Sequence, residues 1–167
     1  MDRETVAAYE GDDAAERFLA RREAYRADRA SAFANGLTGV RADIGSGPGF
    51  YSRLLGEPLV SLDASLAMVR RAGGWRVQGD LEHLPFRRGA LAGAWASRAH
   101  QHIRHEQLPL ALAELHRSIA LGGRLALHVF LGDGSQRRPE TDDFPGRLFS
   151  WWGLDRLLDV VRGAGFT

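Results

Sequence analysis

The sequence contains no cysteine and no lysine. Without cysteine the chain forms neither a disulfide nor a thiolate zinc site, so cysteine usage does not indicate a redox compartment. Arginine supplies all 22 permanent positive charges, and these nearly balance the 21 acidic residues. Such a balance provides no overall charge for binding nucleic acid or an anionic membrane.

Long hydrophobic runs are also missing. Nowhere do about 18 apolar residues follow one another, and the acidic N-terminus lacks the apolar region of a signal peptide. These absences predict a cytoplasmic globular protein. Its 167 residues are enough for one domain with a hydrophobic core of its own.

Short apolar runs alternate with helical stretches along most of the chain. The predicted strands cover residues 40–44, 59–62, 75–78, 93–97 and 124–130. The predicted helices cover residues 51–55, 65–72, 106–120 and 154–162, and the polar segment 132–145 is predicted to be a loop. Alternation with short connections predicts an α/β fold in which helices cover both faces of a mostly parallel sheet.

One long helix is predicted before the first strand, from Asp13 to Ala34. Asp13 and Glu16 form a start similar to a capping box, and the glycine of Asn35-Gly36 ends the pattern. The apolar and long side chains that recur at helical spacing are those of Ala15, Phe18, Leu19, Arg22 and Tyr25.

Acidic residues stand at or just after the ends of the first three predicted strands: Asp43, then Asp63, then Asp80. Ligands of open α/β sheets bind outside the carboxyl ends of the strands, so we expect these carboxylates to share one rim. Three carboxylates are poorly suited to pyrophosphate, and they suit a ligand with hydroxyl groups and a positive charge. The fourth predicted strand ends at Ser97 and is followed by Arg98, His100, Gln101 and His102.

The glycine-rich stretch DIGSGPGFYS begins at Asp43. A dinucleotide turn requires G-x-G-x-x-G, whereas Gly45, Gly47 and Gly49 give G-x-G-x-G and Phe50 replaces the last glycine. Taken alone, the pattern also fits a strand-to-helix turn without a ligand.

Four stretches together carry a resemblance to a known family. They are DIGSGPGFYS, LVSLDASLAMVRRA, VQGDLEHLPFRRGALAGAWASRAHQHI and ALAELHRSIALGGRLALHV. In this order and spacing they resemble the class I S-adenosylmethionine-dependent methyltransferases, in particular the subgroup called methyltransferase type 11. The resemblance implies a doubly wound, Rossmann-like sheet with strand order 3-2-1-4-5, an N-terminal helical cap over residues 1–39 and a cofactor-binding domain over residues 40–167.

The resemblance also implies roles for the residues at the strand ends. Asp43 and the turn of Gly45, Ser46, Gly47, Pro48 and Gly49 would hold the methionine end of S-adenosylmethionine. Asp63 would bind the ribose hydroxyls, with Ala64 and Met68 beside the adenine. Asp80 would accept from the adenine amine, the Leu81 amide would face the ring, and Ser97 and Arg98 would close the site. Tyr9 and Phe18 would belong to the cap.

Methyl transfer from a sulfonium depends chiefly on positioning the nucleophile, so a general base is needed only for some acceptors. His100 and His102 are the nearest candidates for that base, although ordinary polar residues that open a loop are the simpler explanation of both. No H-x-x-x-H pattern or acidic cluster indicates a metal site. Phe149, Trp151 and Trp152 either line an acceptor pocket or cover apolar surface.

The sequence departs from the family pattern in two places. Ala92 stands where the fourth strand usually carries an acid, which weakens the expectation of full activity. The family's final antiparallel hairpin is also missing, which would leave residues 124–130 as an open sheet edge. We expect a segment outside this sequence, or a second copy of the chain, to cover that edge.

The sequence therefore predicts methyl transfer from S-adenosylmethionine to a small-molecule acceptor. A tRNA base is the next acceptor class, though the balanced charge does not support RNA binding. A second hypothesis is a weakly active or inactive S-adenosylmethionine-binding domain of a larger or oligomeric protein. A nicotinamide-dependent oxidoreductase is disfavoured by Phe50.

Overall fold

The computed structural model describes residues 1–11, 13–21 and 26–167. Its centre is a five-stranded sheet in the order β3-β2-β1-β4-β5, in which every pair of neighbouring strands is parallel. The strands are β1 (Arg41–Ile44), β2 (Leu59–Asp63), β3 (Trp75–Gln78), β4 (Leu91–Ser97) and β5 (Ile119–His128). The predicted strand order is confirmed. Because the order reverses between β1 and β4, a crevice opens at the carboxyl ends of these two strands.

Apolar side chains cover both faces of this sheet. On one face the helix α6 (Leu108–Ser118) buries Leu112 and Leu115 against Ile44 and Ala94. On the other face Trp95 packs in a cluster with Leu55 and Leu59. The short helices α4 (Ser52–Leu55) and α5 (Leu66–Val69) and the C-terminal helix α7 (Leu154–Gly163) complete the layers. Helices on both faces agree with the predicted doubly wound architecture.

The N-terminal segment forms three helices: α1 (Arg3–Ala8), α2 (Ala14–Arg21) and α3 (Ala27–Ala34). The prediction of a single helix from Asp13 to Ala34 is wrong. Arg26, directly before α3, has a φ of 59°, a left-handed conformation that cannot continue a right-handed helix. Two residues of that predicted helix, Arg22 and Tyr25, lie outside the described residues. The helix α3 packs beneath the sheet, where the Phe33 ring lies 5.5 Å from the ring of Trp95.

Strand β5 begins five residues earlier than predicted. Ile119 ends α6 and at once pairs with Leu91, and the register then shifts before Gly93 pairs with Arg124. Gly122, with a φ of 77°, absorbs this irregularity. Within the described ranges β5 pairs with β4 on one side and with no strand on the other.

A second, small sheet follows β5. It has the order β6-β8-β7 and consists of β6 (Phe130–Leu131), β7 (Gln136–Arg137) and β8 (Phe149–Trp152). The segment 132–145, predicted to be a loop, therefore contains a strand. The Ser150 hydroxyl fixes β8 to the segment that follows β4 by donating to the carbonyl of Ile103 at 2.7 Å. Over the stretches that the structure describes, no helix combines the length and apolar character needed to cross a bilayer.

Candidate functional site

A cavity of about 350 Å³ lies at the carboxyl edge of the large sheet. Its wall combines three parts of the chain: the N-terminal segment, the strand ends of the large sheet, and the small sheet with the segment between β7 and β8. This volume falls within the range of small-molecule sites, which is about 300–1,000 Å³.

The glycine turn, residues 45–49, forms the floor beside β1. Gly45, Ser46 and Gly47 line the cavity, whereas Pro48 and Gly49 support the turn from outside the lining. Gly45 has a φ of 70°, and a Cβ there would lie 2.1 Å from the Cβ of Ala99. Only glycine therefore permits this close approach of β1 to the chain after β4.

Asp63 connects the glycine turn to α5. Its Oδ2 accepts a hydrogen bond from the amide of Gly47 at 2.8 Å, and its Oδ1 accepts from the amide of Ser65 at 2.9 Å. Burial raises the pKa of Asp63 to about 6 despite these amide hydrogen bonds. Ala64 and Met68, the predicted neighbours of an adenine, line the cavity beside it.

Asp43 lies behind the lining and is 1% exposed. Its Oδ2 has no hydrogen-bond partner within the described part of the chain. Burial raises the pKa of Asp43 to about 8, and the neighbouring charge of Asp63 adds to the effect. Among the described residues neither the buried Asp43 nor the half-buried Asp63 has a cationic partner, so this half of the cavity is suited to a positively charged ligand.

The third predicted acid, Asp80, lies outside the cavity wall, while the adjacent Leu81 is on it. The Oδ2 atom of Asp80 accepts from the amino group of Met1 at 2.7 Å, and its Oδ1 accepts from the amide of Glu82. The structure thus brings together Asp63, Ala64, Met68 and the glycine turn, and it leaves Asp80 at their margin.

Ser97 and Arg98 line the opposite half of the cavity, at the end of β4. The Ser97 hydroxyl lies 3.0 Å from that of Tyr51. Arg98 has a φ of 61°, which is unusual for a residue with a side chain, and its guanidinium lies 5.2 Å above the Phe130 ring.

The two candidate bases differ in position. His100 is fully buried outside the cavity wall, and neither ring nitrogen has a partner among the described residues. His102 lines the cavity. Burial lowers the pKa of each imidazole to about 4. Since the carbonyl of Leu148, 2.6 Å from Nδ1 of His102, can only accept, Nδ1 carries the proton and Nε2 accepts from the hydroxyl of Tyr9 at 3.2 Å.

A polar group that the sequence did not reveal continues from Tyr9. Arg147 donates to the Tyr9 hydroxyl at 2.6 Å and also pairs with Asp142, whose Oδ2 lies 2.7 Å from its Nε. All three side chains line the cavity. No motif surrounds Asp142 or Arg147, and only the fold brings them to residues more than a hundred positions earlier in the chain.

Comparison with known proteins agrees with this geometry. A family model described as a methyltransferase domain matches residues 42–127. A malonyl-[acyl-carrier protein] O-methyltransferase of Herminiimonas arsenicoxydans is 34% identical over 136 residues, which cover 74% of this chain and 51% of that enzyme. The chain spans about a third to a half of the length of the curated relatives that it matches.

Two solved structures share the fold at low sequence identity. The first is Burkholderia thailandensis 1,6-didemethyltoxoflavin-N1-methyltransferase with bound 1,6-didemethyltoxoflavin and S-adenosylhomocysteine (SAH); it is 23% identical, with a TM-score of 0.70 over 91% of this chain and 72% of that one. The second is the DhpI–SAH complex, 19% identical, with a TM-score of 0.74 over 97% and 86% of the two chains. The resemblance to class I methyltransferases is thereby confirmed, and the chain belongs to the methyltransferase-domain family.

Proposed function

We propose that this domain binds S-adenosylmethionine at the carboxyl edge of the large sheet and catalyses transfer of its methyl group to a small-molecule acceptor. The observation that carries the proposal is the buried acidic half of the cavity. There the glycine turn faces Asp63, and behind it lies a carboxyl oxygen of Asp43 that has no partner among the residues that the structure describes.

The residues present fit the cofactor. A cationic amino acid end balances the charge of Asp43, and the open side of the turn at Gly47 gives it room, since a Cβ there would meet no atom closer than 3.9 Å. We assign the ribose hydroxyls to Asp63, and the adenine to the apolar wall of Ala64, Met68 and Leu81. The role of Asp80 toward the adenine amine stays a prediction, because its carboxylate is bound to Met1.

When bound, S-adenosylmethionine supplies a methyl group on a sulfonium, and transfer to a nucleophile leaves the carbon–sulfur electron pair on S-adenosylhomocysteine. The chain's own contribution is to orient the acceptor and to exclude water from the part of the cavity lined by Phe130, Phe149 and Trp151. His102 is the histidine of the two that reaches the cavity wall. Its Nε2 is engaged by Tyr9 and its pKa is low, so we assign it to positioning Tyr9 rather than to strong general-base catalysis.

The size of the cavity supports a small acceptor. Side chains from the N-terminal segment and from residues 130–151 also enclose the cavity. The nearly balanced charge lends no support to a tRNA acceptor. Ala92, the residue that suggested an inactive domain, lies at the start of β4 and outside the cavity wall, and its amide donates to Val40 at 2.7 Å. The missing acid therefore removes no group from the proposed site.

Calorimetric titration with S-adenosylmethionine, S-adenosylhomocysteine and NAD tests the proposal. We expect both sulfur ligands to bind, NAD not to bind, and Asp63→Ala to weaken both sulfur ligands at least about ten-fold, the loss expected when hydrogen bonds to a charged group are removed. Asp159→Asn, on α7 with a side chain 78% exposed, is the matched control and should bind as the wild type does. Binding of NAD in place of the sulfur ligands would overturn the proposal.

A further inference from the structure

We propose that the methyl acceptor is a small molecule whose nucleophile is an uncharged amine nitrogen, and that Gln101 orients this nitrogen by accepting a hydrogen bond from its N–H group. This inference rests on the proposed function above, and it specifies the acceptor class and one acceptor-binding residue for the same site.

The sheet order separates the cavity into two halves. The glycine turn, Asp63 and Leu81 lie at or just after the ends of β1, β2 and β3, on one side of the reversal in strand order, and we assign them to the cofactor. Gln101 follows β4 and Phe130 follows β5, on the other side, and both line the cavity. A cofactor on the first half therefore leaves the second half for the acceptor.

The segment that carries Gln101 packs against the glycine turn. Gln101 belongs to a single helical turn (His100–His102) that begins directly after Ala99. Ala99 is the residue that a Cβ at Gly45 would strike. Since we assign the glycine turn to the methionine end of the cofactor, which carries the reactive methyl group, we place the acceptor's nucleophile beside Gln101.

The amide oxygen of Gln101 has no partner among the residues that the structure describes. The side chain lines the cavity, although the residue is only 3% exposed. A buried amide oxygen without a donor destabilises the folded protein, and native structures satisfy nearly all such atoms. The last torsion of a glutamine side chain is broad, so a small rotation can turn Oε1 toward a ligand in the cavity. A ligand that donates to Oε1 would remove the cost of leaving it unpaired.

The neighbouring His102 decides which end of the Gln101 amide is the oxygen. Nδ1 of His102 carries the proton because it faces the carbonyl of Leu148, so Nε2 can only accept. The amide atom of Gln101 that lies 3.5 Å from this Nε2 is therefore the NH2 group. An exchanged amide would place an oxygen against a nitrogen that has no hydrogen. Oε1 is thus the end that requires a donor on the acceptor.

A donor on the acceptor is either a hydroxyl or an amine, and the two differ in what methyl transfer requires. A hydroxyl must lose its proton as its oxygen attacks, whereas an uncharged amine attacks with an available lone pair. The lone pair forms the nitrogen–carbon bond, the carbon–sulfur electron pair leaves with S-adenosylhomocysteine, and the resulting ammonium then releases its proton to water. Only the hydroxyl therefore requires a base in the cavity.

The described part of the cavity wall carries three side chains that could act as that base, and each is engaged: Asp63, His102 and Asp142. Nε2 of His102 already accepts a hydrogen bond, and burial lowers the pKa of this imidazole to about 4. Asp142 is paired with Arg147, and Asp63 accepts from two backbone amides in the cofactor half. Gln101 can hold an N–H group but cannot take up its proton, which suits an amine.

A carboxylate acceptor also needs no base, but it has no hydrogen to donate. Its oxygens would leave Oε1 of Gln101 without a partner. An uncharged amine meets both conditions, because it donates to Gln101 and reacts without a base.

Matched probes that share a methylphenyl body test the inference. The amine 4-methylaniline has an N–H group, N,N,4-trimethylaniline lacks it, 4-methylphenol has a hydroxyl and 4-methylbenzoate has a carboxylate. In calorimetry with S-adenosylhomocysteine bound, we expect 4-methylaniline and 4-methylphenol to bind at least about ten-fold more tightly than the other two. With S-adenosylmethionine, mass spectrometry should detect a methylated product from 4-methylaniline alone.

A variant and a matched control assign the effect to Gln101. Gln101→Leu removes the amide oxygen and should abolish the preference for 4-methylaniline over N,N,4-trimethylaniline. It should bind S-adenosylhomocysteine as the wild type does, which also shows that the variant folds. Gln107→Leu makes the same change directly before α6, outside the cavity wall and at a side chain that makes no capping hydrogen bond. This control should keep the preference.

The outcomes separate the inference from the proposed function. The acceptor class is overturned if 4-methylaniline fails to bind while S-adenosylhomocysteine binds, if it binds no better than N,N,4-trimethylaniline, or if the phenol or the carboxylate is methylated instead. A Gln101→Leu protein that keeps the preference overturns the role of Gln101. If that variant does not fold, the four probes on the wild type decide alone. Failure of the wild type to bind S-adenosylhomocysteine means that the proposed function itself has failed.

Discussion

The phenol oxygen of Tyr9 lies 3.2 Å from Nε2 of His102 and within hydrogen-bond distance of Arg147. Since Arg147 can only donate and Nε2 can only accept, the Tyr9 hydroxyl accepts from the arginine and donates to the histidine. This one hydroxyl therefore joins the N-terminal segment, the turn after β4 and the segment before β8 at the wall of the cavity.

Tyr9→Phe removes the hydroxyl and keeps the ring, which packs 5.9 Å from Phe18 and 5.4 Å from Phe144. We expect the free energy of unfolding to fall by about 1–3 kcal/mol, because a buried guanidinium loses an acceptor and Nε2 of His102 loses a donor. Urea denaturation measures this change. In a double-mutant cycle with His102→Gln, the two losses should fail to add by at least about 0.5 kcal/mol; full additivity would show that the contact is not energetically coupled.

Gly45→Ala should destabilise the protein and abolish cofactor binding, because the new Cβ would lie 2.1 Å from Ala99. Gly36→Ala is the control, since Gly36 has a similar φ of 73° and a Cβ there meets no atom within 4 Å. The control should lose about 1–2 kcal/mol of stability from backbone strain. Overpacking adds about 1–3 kcal/mol at Gly45. Equal thermal unfolding midpoints for the two variants would contradict the close approach.

Asp43 and Asp63 should make the stability of the ligand-free protein decrease with rising pH. Their pKa values in the folded protein, about 8 and about 6, lie above the unfolded value of 3.8, so the folded state keeps protons that the unfolded chain has lost. Stability is then greatest below about pH 4 for these groups and is lost as the pH rises through 6 and 8, by up to about 1.4 kcal/mol per pH unit for each proton. Asp43→Asn should make the free energy of unfolding depend less steeply on pH. If the slope is the same in the variant as in the wild type, the pH dependence arises from other groups.

The same carboxyl groups predict proton release when S-adenosylmethionine binds. A cation beside Asp43 lowers its pKa, so a proton held at pH 7 in the free protein is lost on binding. Calorimetry in two buffers of different ionisation enthalpy measures the number released, which we expect to approach one per ligand. In Asp43→Asn the release should fall to the smaller contribution of Asp63. Proton uptake would contradict the arrangement.

The Arg147–Asp142 pair should be strongly coupled. Asp142→Asn leaves a buried guanidinium without its counter-charge, which typically costs about 3–5 kcal/mol. Combining Asp142→Leu with Arg147→Met should cost less than Asp142→Asn alone, since neither side chain then carries a buried charge. Chemical denaturation of the wild type, of Asp142→Asn and of the double variant measures the free energy of unfolding of each. A double variant less stable than Asp142→Asn would argue against a desolvation cost.

The large sheet and its acidic rim could be predicted because their signals are local. Apolar runs bounded by glycines mark buried strands, and the position of Asp63 directly after a strand places it at the carboxyl edge whatever the rest of the chain does. The break in the N-terminal helix at Arg26 could not be predicted, since nothing in the local sequence favours a left-handed residue there. The short strand β7 within 132–145 was missed for a similar reason: it exists because β8 pairs with it.

The half of the cavity that we assign to the acceptor was only partly foreseen. Phe149 and Trp151 were considered for a pocket, but Asp142 and Arg147 lie in a segment without periodicity or motif. Their positions depend on contacts with Tyr9 that span most of the chain, and such contacts leave no pattern at short spacing. The side chains that we assign to the cofactor lie at strand ends, whereas Asp142 and Arg147, on another part of the cavity wall, lie in a loop.

The junction at Tyr9 also bears on how the protein loses its function. It joins residues 138 positions apart. Two short segments near opposite ends of the sequence meet there through side-chain contacts rather than through strand pairing. Contacts of this kind open by local fluctuation well before the sheet unfolds, so amides of α1 and of residues 142–148 should exchange with solvent faster than those of β1 and β4. Inactivation on heating or in mild denaturant would then precede global melting, and bound ligand would slow exchange at both ends of the chain together.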